Sequence, residues 1–362
     1  MKRWLVRLAL AAAVVAAVLA AMRPNPSLLE RSSRVIGSLS SPSEPYVWLS
    51  DHELIRFPVD TKQDGQGNSM TIMRAEQLDT KTGLRTPLTD LSRRLRAQRD
   101  YASLFRLSPD GKWLVYAANN SDDDYPRSHF YVSEVGGPRE REWPLEDAAS
   151  NGMPSMPPGA VWLPDSRRWL ELAPDETGLL GVRMHSLDVD SPKALPVTAP
   201  ARLRSLLGVT PDYRLIATDF YVSPGSAARS VDLYEVGLYP NPTPPRRHTL
   251  RAPPNAQILD IALSPRGDRL AWAFYFSRVP TGMQWLARFI PSLRKRLRPR
   301  VGAGLWVSRL DGSEMREIGY QEIDPNVPAP LRLAPAEIHW TPDGRRLSFV
   351  YKNALYTVPV NQ

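Results

Sequence analysis

The chain contains no cysteine in its 362 residues. Disulfide bonds, thiolate zinc sites, cysteine nucleophiles and a lipid-modified N-terminal cysteine are therefore all excluded. Histidine is also scarce, with five residues. The composition is otherwise that of a folded protein, since 42% of the residues are hydrophobic and 23% are charged. The length fits two ordinary domains or one large β architecture.

A broadly basic surface is also missing, although the formal net charge is +8. Lys2, Arg3 and Arg7 account for three of these charges, and residues 278–300 contribute seven with no acidic residue. The rest of the chain is therefore slightly acidic, and the basicity belongs to two short segments. Because a nucleic-acid-binding protein needs an extended phosphate-binding surface, we expect no nucleic acid partner.

The N-terminus has the pattern of an export signal. Its basic residues precede an uninterrupted run of small apolar residues from Leu8 to Met22. This run is shorter than the roughly 20 residues that cross a membrane, and Val18 and Ala20 suit the −3 and −1 positions of a cleavage site. We predict that residues 1–22 are a signal peptide or a membrane anchor. In both cases the rest of the chain is expected outside the cytoplasm. With a cleaved signal it would be periplasmic or secreted, and with an anchor it would be attached to the inner membrane.

One short phrase recurs along the chain, in which Ser or Thr is usually followed by Pro, Asp and Gly. Five clear copies begin at Ser108, Leu163, Thr210, Ser264 and Thr341. One degenerate copy begins at Leu49. Pro presets the second position of a type I turn, Asp suits the third position and Gly the fourth. Each copy therefore predicts a tight hairpin turn between two strands.

A second turn signal follows several of these phrases at a constant distance. Gly136, Asp190 and Gly237 lie 27, 26 and 26 residues after the proline of the preceding phrase. The segments beside the first turn are almost continuously apolar, which is typical of strands that are buried on both faces. A helical period is nearly absent. Units of four strands that repeat about every 50 residues predict the blades of a β-propeller.

The phrase Ser-Pro-Asp-Gly-Lys-Trp-Leu-Val-Tyr at residues 108–116, with hairpins such as Leu-Asp-Gly at residues 310–312, resembles the WD-repeat-like propeller repeat of TolB and its relatives. The same repeat builds the propeller of prolyl-oligopeptidase-type enzymes. The resemblance covers residues 45–362 and implies an all-β fold of four-stranded antiparallel blades. It implies no particular function, because no segment matches the domain that precedes the propeller in TolB.

The repeats predict six blades, preceded by the N-terminal signal or anchor helix. The blades are expected at about residues 45–90, 101–147, 158–199, 204–250, 257–320 and 334–362. The last blade ends before its outer strand, which would leave unpaired backbone groups at an open edge. We predict that residues 32–40, within a linker and closing strand at residues 23–44, supply this strand and close the ring.

Residues with the spacing of an active site are sparse. The histidines have no metal-ligand spacing, and no Gly-x-Ser-x-Gly nucleophile motif occurs. The acidic stretch Asp122–Asp124 could offer oxygen ligands to Ca²⁺, but it lacks the alternation of a calcium loop, so a solvated turn is favoured. The recurring aspartates of the turn phrase are attributed to hairpin chemistry. His339, next to Trp340, is predicted to lie in the core or to line the channel. We predict no catalytic residue, metal site or cofactor.

The fifth repeat contains a basic insertion at residues 278–300. Its apolar residues follow helical spacing while its basic residues take the other positions, and Pro291 kinks or ends the segment. Three interpretations are open: packing against the propeller, docking on an anionic membrane surface, or binding of a protein partner. The candidate contact residues are Trp285, Arg288, Phe289, Ile290, Arg294, Lys295 and Arg296.

Three functional hypotheses follow from these features. The first is a non-catalytic extracytoplasmic propeller that binds an unknown protein or envelope component. The second is an enzyme, a lyase or hydrolase, with a composite site in the central channel. The third is a membrane-docked scaffold that uses residues 278–300. The absence of a catalytic motif favours the first, and the third is compatible with it.

Overall fold

The computed structural model describes residues 27–38, 44–63, 69–97, 102–120, 127–144, 159–174, 180–194, 203–220, 228–238, 244–278, 300–322, 336–351 and 354–360. In these residues, six four-stranded antiparallel sheets form the blades of a propeller. The first strands of neighbouring blades contact one another from blade 1 through to blade 6, so they surround a central channel. The all-β, six-bladed fold predicted from the repeats is confirmed.

The first three blades follow the chain in order. Blade 1 consists of β2 (Tyr46–Trp48), β3 (Glu53–Arg56), β6 (Glu76–Asp79) and β7 (Arg85–Pro87). Blade 2 consists of β8 (Ala102–Leu107), β9 (Trp113–Asn120), β10 (Arg127–Glu134) and β11 (Glu140–Pro144). Blade 3 consists of β12 (Ala160–Trp162), β13 (Arg168–Pro174), β14 (Leu180–Ser186) and β15 (Val189–Ala194).

The second half repeats the pattern and then returns to the N-terminus. Blade 4 consists of β16 (Ser205–Val209), β17 (Arg214–Thr218), β18 (Ser230–Gly237) and β19 (Arg246–Arg251). Blade 5 consists of β20 (Ala256–Leu263), β21 (Arg269–Arg278), β22 (Arg300–Arg309) and β23 (Arg316–Glu322). Blade 6 consists of β24 (Ala336–Trp340), β25 (Arg346–Tyr351), β26 (Ala354–Pro359) and β1 (Ser33–Ser38).

The ring is closed by an N-terminal strand. β1 pairs antiparallel with β26, with Ser33 opposite Thr357 and Val35 opposite Leu355. This is the pairing that the incomplete last repeat predicts. Val35 is buried in a cluster that also contains Tyr46 of blade 1, so the closing strand joins the first and last blades through side chains as well.

A short helix, α1 (Leu28–Arg31), extends the seam to blade 5. Ser27 and Glu30 cap it reciprocally, and Leu28 is fully buried among residues of blades 5 and 6. A Cβ atom at Gly319 would lie 2.8 Å from Leu28 Cδ2, so glycine makes room for this side chain. Arg31 donates a hydrogen bond to the carbonyl of Ile318 at 2.9 Å.

Besides α1, a second helix and a hairpin were not predicted from the sequence. The helix α2 (Thr89–Ala97) follows blade 1 and buries Leu91 and Leu95 in the core that blades 1 and 2 share. The hairpin of β4 (Val59–Gln63) and β5 (Ser69–Met73) projects from blade 1 as a separate two-stranded sheet.

Large side chains fill the spaces between blades, as radial packing of sheet on sheet requires. Trp169 and Phe130 meet edge to face between blades 3 and 2, with ring centroids 5.1 Å apart. Phe57 of the β3–β4 connection stacks on Phe105 of blade 2 at 3.8 Å. The almost continuously apolar strands therefore place apolar side chains on both faces of a blade, where they pack against the neighbouring blades.

The recurring phrase forms the predicted turn in every clear copy. The amide of the fourth residue donates to the carbonyl of the first, as from Gly111 to Ser108 at 2.8 Å and from Gly344 to Thr341 at 2.8 Å. The fourth residue has a positive φ in all five copies, including Ser166 and Tyr213, which are not glycine. The second signal is less uniform, since Glu235–Gly237 belongs to β18 and the turn to β19 lies beyond it.

Replacing turn glycines should separate backbone strain from crowding. Gly344 has a φ of +68°, and a Cβ atom there would make only an ordinary contact with Pro265 Cδ at 3.9 Å, so Gly344→Ala is expected to cost about 1 kcal/mol of unfolding free energy. Gly267→Ala should cost clearly more, because its Cβ would lie 2.4 Å from Thr210 Cγ2 of the neighbouring blade. Urea unfolding of both variants measures the difference. Equal losses of unfolding free energy in the two variants would show that crowding against Thr210 does not affect stability.

Candidate functional site

The two ends of the propeller differ. The tight turns of the recurring phrase lie at one end, where the turn aspartates bond to their own hairpins: Ser108 Oγ donates to Asp110 at 2.6 Å, and Thr341 Oγ1 donates to Asp343 at 2.6 Å. Neighbouring turns are also linked, since the Asp343 amide donates to Asp51 Oδ1 at 2.8 Å. These aspartates are therefore committed to the scaffold, as the sequence analysis expected.

Almost all of the long connections between strands lie at the opposite end. There the chain passes from the second to the third strand of each blade and from each outer strand to the next blade. We call this the long-connection end. Several of its segments fall outside the described residues, among them the acidic stretch Asp122–Asp124 and residues 279–299 of the basic insertion.

Three of the polar residues on the inner strands, which surround the channel, are linked electrostatically: Arg106, Asp260 and His339. Arg106 of β8 and His339 of β24 each lie two residues before the Ser or Thr that opens the turn, and Asp260 of β20 lies four residues before it. All three are partly exposed, although Ile261 and Ile338 beside them are buried. We call Arg106, Asp260 and His339 the channel cluster.

The strands are locally bent where these residues occur. The register of β8, β20 and β24 against the neighbouring strand shifts between Ser103 and Arg106, between Ile258 and Asp260, and between Ala336 and His339. Such bulges re-aim side chains, but β16 of blade 4 has the same shift between Leu206 and Gly208, so the bulge recurs in inner strands that lack these residues. In β8 the bulge contains Leu104 with a φ of +57°.

Asp260 connects two blades from within the channel. Its carboxylate accepts hydrogen bonds from the Ile261 amide at 2.8 Å and from the Ile338 amide of blade 6 at 3.1 Å. Burial raises the pKa of Asp260 to about 6, although both amides and the positive charge of Arg106 lower it. This carboxyl group can therefore gain or lose a proton near neutral pH.

His339 is neutral at pH 7. Burial, together with the positive charge of Arg106, lowers its pKa to about 3. Its ring meets the ring of Tyr46 of blade 1 edge to face, with centroids 4.9 Å apart. His339 is partly exposed on the innermost strand of blade 6, and its position in the core or on the channel wall stays a prediction.

Asp260 and His339 should give opposite pH dependence. Because the pKa of Asp260 is raised, this group contributes stability below pH 3.8 that is lost as the pH rises through 6. Because the pKa of His339 is lowered, this group contributes stability above pH 6.5 that is lost as the pH falls towards 3. On acidification from pH 7.5 to 4.5, Asp260→Asn should therefore lose more unfolding free energy than the parent chain and His339→Gln less. Each difference should be on the order of 2 kcal/mol. Urea unfolding at both pH values measures it, and identical pH dependence in all three chains would contradict these environments.

The other polar clusters have structural explanations. His185 Nε2 lies 2.6 Å from Glu171 Oε2 within blade 3, and the His185 ring stacks on Trp169 at 3.9 Å. Glu140 accepts hydrogen bonds from Tyr116 and Ser133. Among the described residues, no group of three or more His, Asp or Glu side chains could hold a metal ion.

The candidate contact residues of the basic insertion lie outside the described residues: Trp285, Arg288, Phe289, Ile290, Arg294, Lys295 and Arg296. Its endpoints are described, because Arg278 and Arg300 pair across the β21–β22 hairpin of blade 5. Residues 1–22 are outside the described part of the chain as well. Within that part, none of the helices has the length and apolar character needed to cross a membrane.

The sequence analysis missed Arg106 and Asp260. Aligning the repeats on their turns shows the signal for Arg106, because four of the six inner strands carry Val47, Val161, Gly208 or Ala262 where Arg106 and His339 occur. A charged residue at a position that is otherwise apolar or glycine could have been noticed. The alignment shows no such signal for Asp260, because Glu337 lies at the corresponding position of the last repeat.

The comparisons with known proteins concern the fold. No protein-family model matches the sequence, and no curated protein matches it either. A TolB-type protein of Agrobacterium tumefaciens is 12% identical, with a TM-score of 0.43 over 88% of this chain and 91% of that one. The six-bladed propeller is shown by the order of the chain's own sheets.

Enzymes are among the similar structures too. An oligogalacturonate lyase in complex with manganese is 12% identical, with a TM-score of 0.40 over 88% of this chain and 98% of that one. A prolyl endopeptidase is 13% identical, with a TM-score of 0.42 over 86% of this chain and 49% of that one. At this level of similarity we infer no function from either.

Proposed function

We propose that the chain is a non-catalytic extracytoplasmic propeller that binds a protein or envelope component at its long-connection end. One observation carries the proposal: at the opposite end, the turns of the recurring phrase are short and are hydrogen-bonded internally and to neighbouring turns. At the long-connection end, the connections differ in length from blade to blade. Binding residues are found disproportionately on such loops when a rigid scaffold holds them.

Site-directed photo-crosslinking tests which end binds. A photoreactive residue is placed at Arg229, exposed beside a long connection, or at Lys112, exposed in a tight turn. In native envelopes, the Arg229 position is expected to give a discrete crosslinked product and the Lys112 position none. Products from Lys112 alone, or from neither position, would contradict the proposal.

A second candidate function, docking on an anionic membrane surface, has a specific observation in its favour. Ser27 bridges to Tyr320 at the outer strand of blade 5, and Tyr320 lies opposite Gly304 near the Arg278–Arg300 pair. The first described residue, Ser27, and the two ends of the basic insertion, Arg278 and Arg300, therefore lie on the same blade. If residues 1–22 address a membrane, the insertion is tethered beside it.

Replacing residues 279–299 by Asn-Gly provides the matched variant, because a two-residue turn suits the paired strand ends. The intact chain is expected to sediment with vesicles that contain phosphatidylglycerol, and the shortened chain is expected to stay in solution. Trp285 fluorescence should shift with these vesicles and not with neutral ones. Equal sedimentation of both chains, or no shift, would exclude docking by the insertion.

A further inference from the structure

We propose that β19, the outer strand of blade 4, binds an acidic, extended segment of a partner protein, which adds to the blade as a fifth strand. We call β19 with its open side the basic edge. The proposal goes beyond the binding function above, because the basic edge belongs to the outer strand of a blade and not to the long connections. It rests on the backbone, the charges and the anchoring of β19.

The backbone of β19 has one open side. The strand is the last in its sheet, and the Ala252 amide just beyond it donates to the carbonyl of Arg229, on the side of β18, at 2.9 Å. Because the two kinds of residue pair alternate along an antiparallel ladder, every second residue of β19 turns its amide and carbonyl outward. These residues are Arg247, Thr249 and Arg251. An incoming strand can therefore pair with three residues.

The other outer strands are less regular. β19 has six residues, no proline and an unbroken register against β18. The register of β1, β15 and β23 shifts along the strand, and β7 and β11 are shorter and include a proline. A regular edge with unpaired backbone groups is a template for pairing with another chain. Among the described outer strands, β19 therefore suits strand addition best.

The basic edge carries positive charge that is not neutralised by its surroundings. Arg246 and Arg251 are exposed at its two ends, and neither forms an ion pair within the described part of the chain. The acidic residues nearby are already engaged, since Asp232 pairs with Arg247 and Glu235 pairs with an arginine of β17. Two guanidinium groups are therefore available, about 17 Å apart along the strand.

The strand is also held in place. Leu250 is 3% exposed and packs among residues of blades 4 and 5, so closely that a Cβ atom at Gly312 would lie 2.9 Å from its Cδ2. On the other face, Thr249 Oγ1 donates to Asp232 Oδ1 at 2.6 Å. A partner therefore meets an edge that is already ordered, which reduces the entropy lost on binding.

The charges select the kind of segment that can add. Strand addition draws affinity from main-chain hydrogen bonds and specificity from side chains. Opposite charges in directly facing positions stabilise a strand pair and like charges destabilise it, so a basic segment is disfavoured. A second copy of β19 is disfavoured for the same reason, because antiparallel pairing would place arginine opposite arginine. A carboxylate can instead accept two parallel hydrogen bonds from each guanidinium.

Calorimetry on the full chain with three peptides tests the proposal. The first is acetyl-Asp-Glu-Val-Thr-Val-Glu-Asp-amide. The second has Asn and Gln in place of the acids, and the third keeps the acids but has N-methyl groups on the amides of its three central residues. The first is expected to bind saturably and at least about ten-fold more tightly than the others.

Two results with these peptides would overturn the proposal. No binding of the first peptide, or equal binding of the first and second, would show that the arginines only protect the edge from pairing. Equal binding of the first and third would show that charge alone attracts the peptide, as it would attract an anionic surface, and that no strand is added.

Charge variants locate the peptide on the chain. Arg246→Gln combined with Arg251→Gln should weaken binding of the first peptide at least about ten-fold. Arg85→Gln is the matched control, because Arg85 is an exposed arginine on β7, the outer strand of blade 1, and it should leave binding unchanged. Unchanged binding in the double variant would place the peptide elsewhere, for example on the basic insertion, and would overturn the proposal.

A backbone variant tests strand addition from the side of the protein. Thr249→Pro removes the central outward amide without removing a hydrogen bond to β18, so it should abolish binding while circular dichroism shows a folded chain. Thr249→Val loses the same hydroxyl but keeps the amide, and should bind as the parent chain does. Equal binding by both variants would contradict strand addition. If Thr249→Pro does not fold, the N-methylated peptide decides the same question.

Discussion

A chain that lacks residues 23–41 is expected to lose cooperative unfolding. The deletion removes β1 and α1, which leaves β26 without its outer partner and uncovers the surfaces that Val35 and Leu28 bury. An open ring exposes unpaired backbone groups at its edge. The free energy lost with two packed elements is expected to exceed the unfolding free energy of a typical domain, roughly 5–15 kcal/mol. Calorimetric melting of the shortened chain measures the effect.

Point variants act as controls for the deletion. Leu28→Ala should cost about 2–5 kcal/mol, because it opens a cavity between blades 5 and 6. Arg34→Ala should change stability little, since Arg34 is exposed on the same closing strand. An unchanged melting curve for the deleted chain would show that the N-terminal segment does not close the ring.

Breaking the buried ion pair between Glu44 and Arg56 should have the next largest effect. Arg56 Nε lies 2.7 Å from Glu44 Oε1 and its Nη2 lies 3.1 Å from Oε2, and both side chains are at most 5% exposed. Glu44→Ala leaves the Arg56 charge buried without this carboxylate, so a loss of about 3–5 kcal/mol in unfolding free energy is expected. Urea unfolding at pH 7 measures it.

The chain offers a matched surface pair for comparison. Arg167 forms the same two-bond geometry with Asp188, but both side chains are more than half exposed. Arg167→Ala should therefore cost less than about 1 kcal/mol. The double variant Glu44→Leu/Arg56→Met should recover much of the loss, because no buried charge remains. Similar costs for the buried and exposed pairs would contradict this account.

The parts of the fold that depend on local chemistry could be predicted from the sequence. Pro109 and Gly111 fix a turn through their own backbone preferences, and the copies at Leu163 and Thr210 keep it because the hydrogen bond from the fourth residue to the first is retained. Closure by β1 followed from counting strands, since a blade without its outer strand is an open edge. These features need no knowledge of distant contacts.

Other features were missed. Helix α2 carries a helical signal, since Leu88, Leu91 and Leu95 follow helical spacing and pack into the core that blades 1 and 2 share, but it is only nine residues long. The β4–β5 hairpin has no recurring turn phrase. Arg106, Asp260 and His339 are separated by up to 233 positions in sequence, and each lies in a mainly apolar strand that holds one other polar residue, Ser103, Gln257 or Glu337. Only the ring brings them to one channel.

Disulfide trapping across the seam tests the closed propeller most directly. The chain has no cysteine of its own, so any disulfide joins two introduced residues. Ser33 and Thr357 are direct partners on β1 and β26, a separation that a disulfide spans. Ser33→Cys combined with Thr357→Cys is expected to oxidise fully, with the mass loss of two hydrogens. Ser33→Cys combined with Ser348→Cys, which lies one strand farther away on β25, should remain reduced. If the first pair stays reduced, or if both pairs oxidise equally, the ring is not closed by β1 as described.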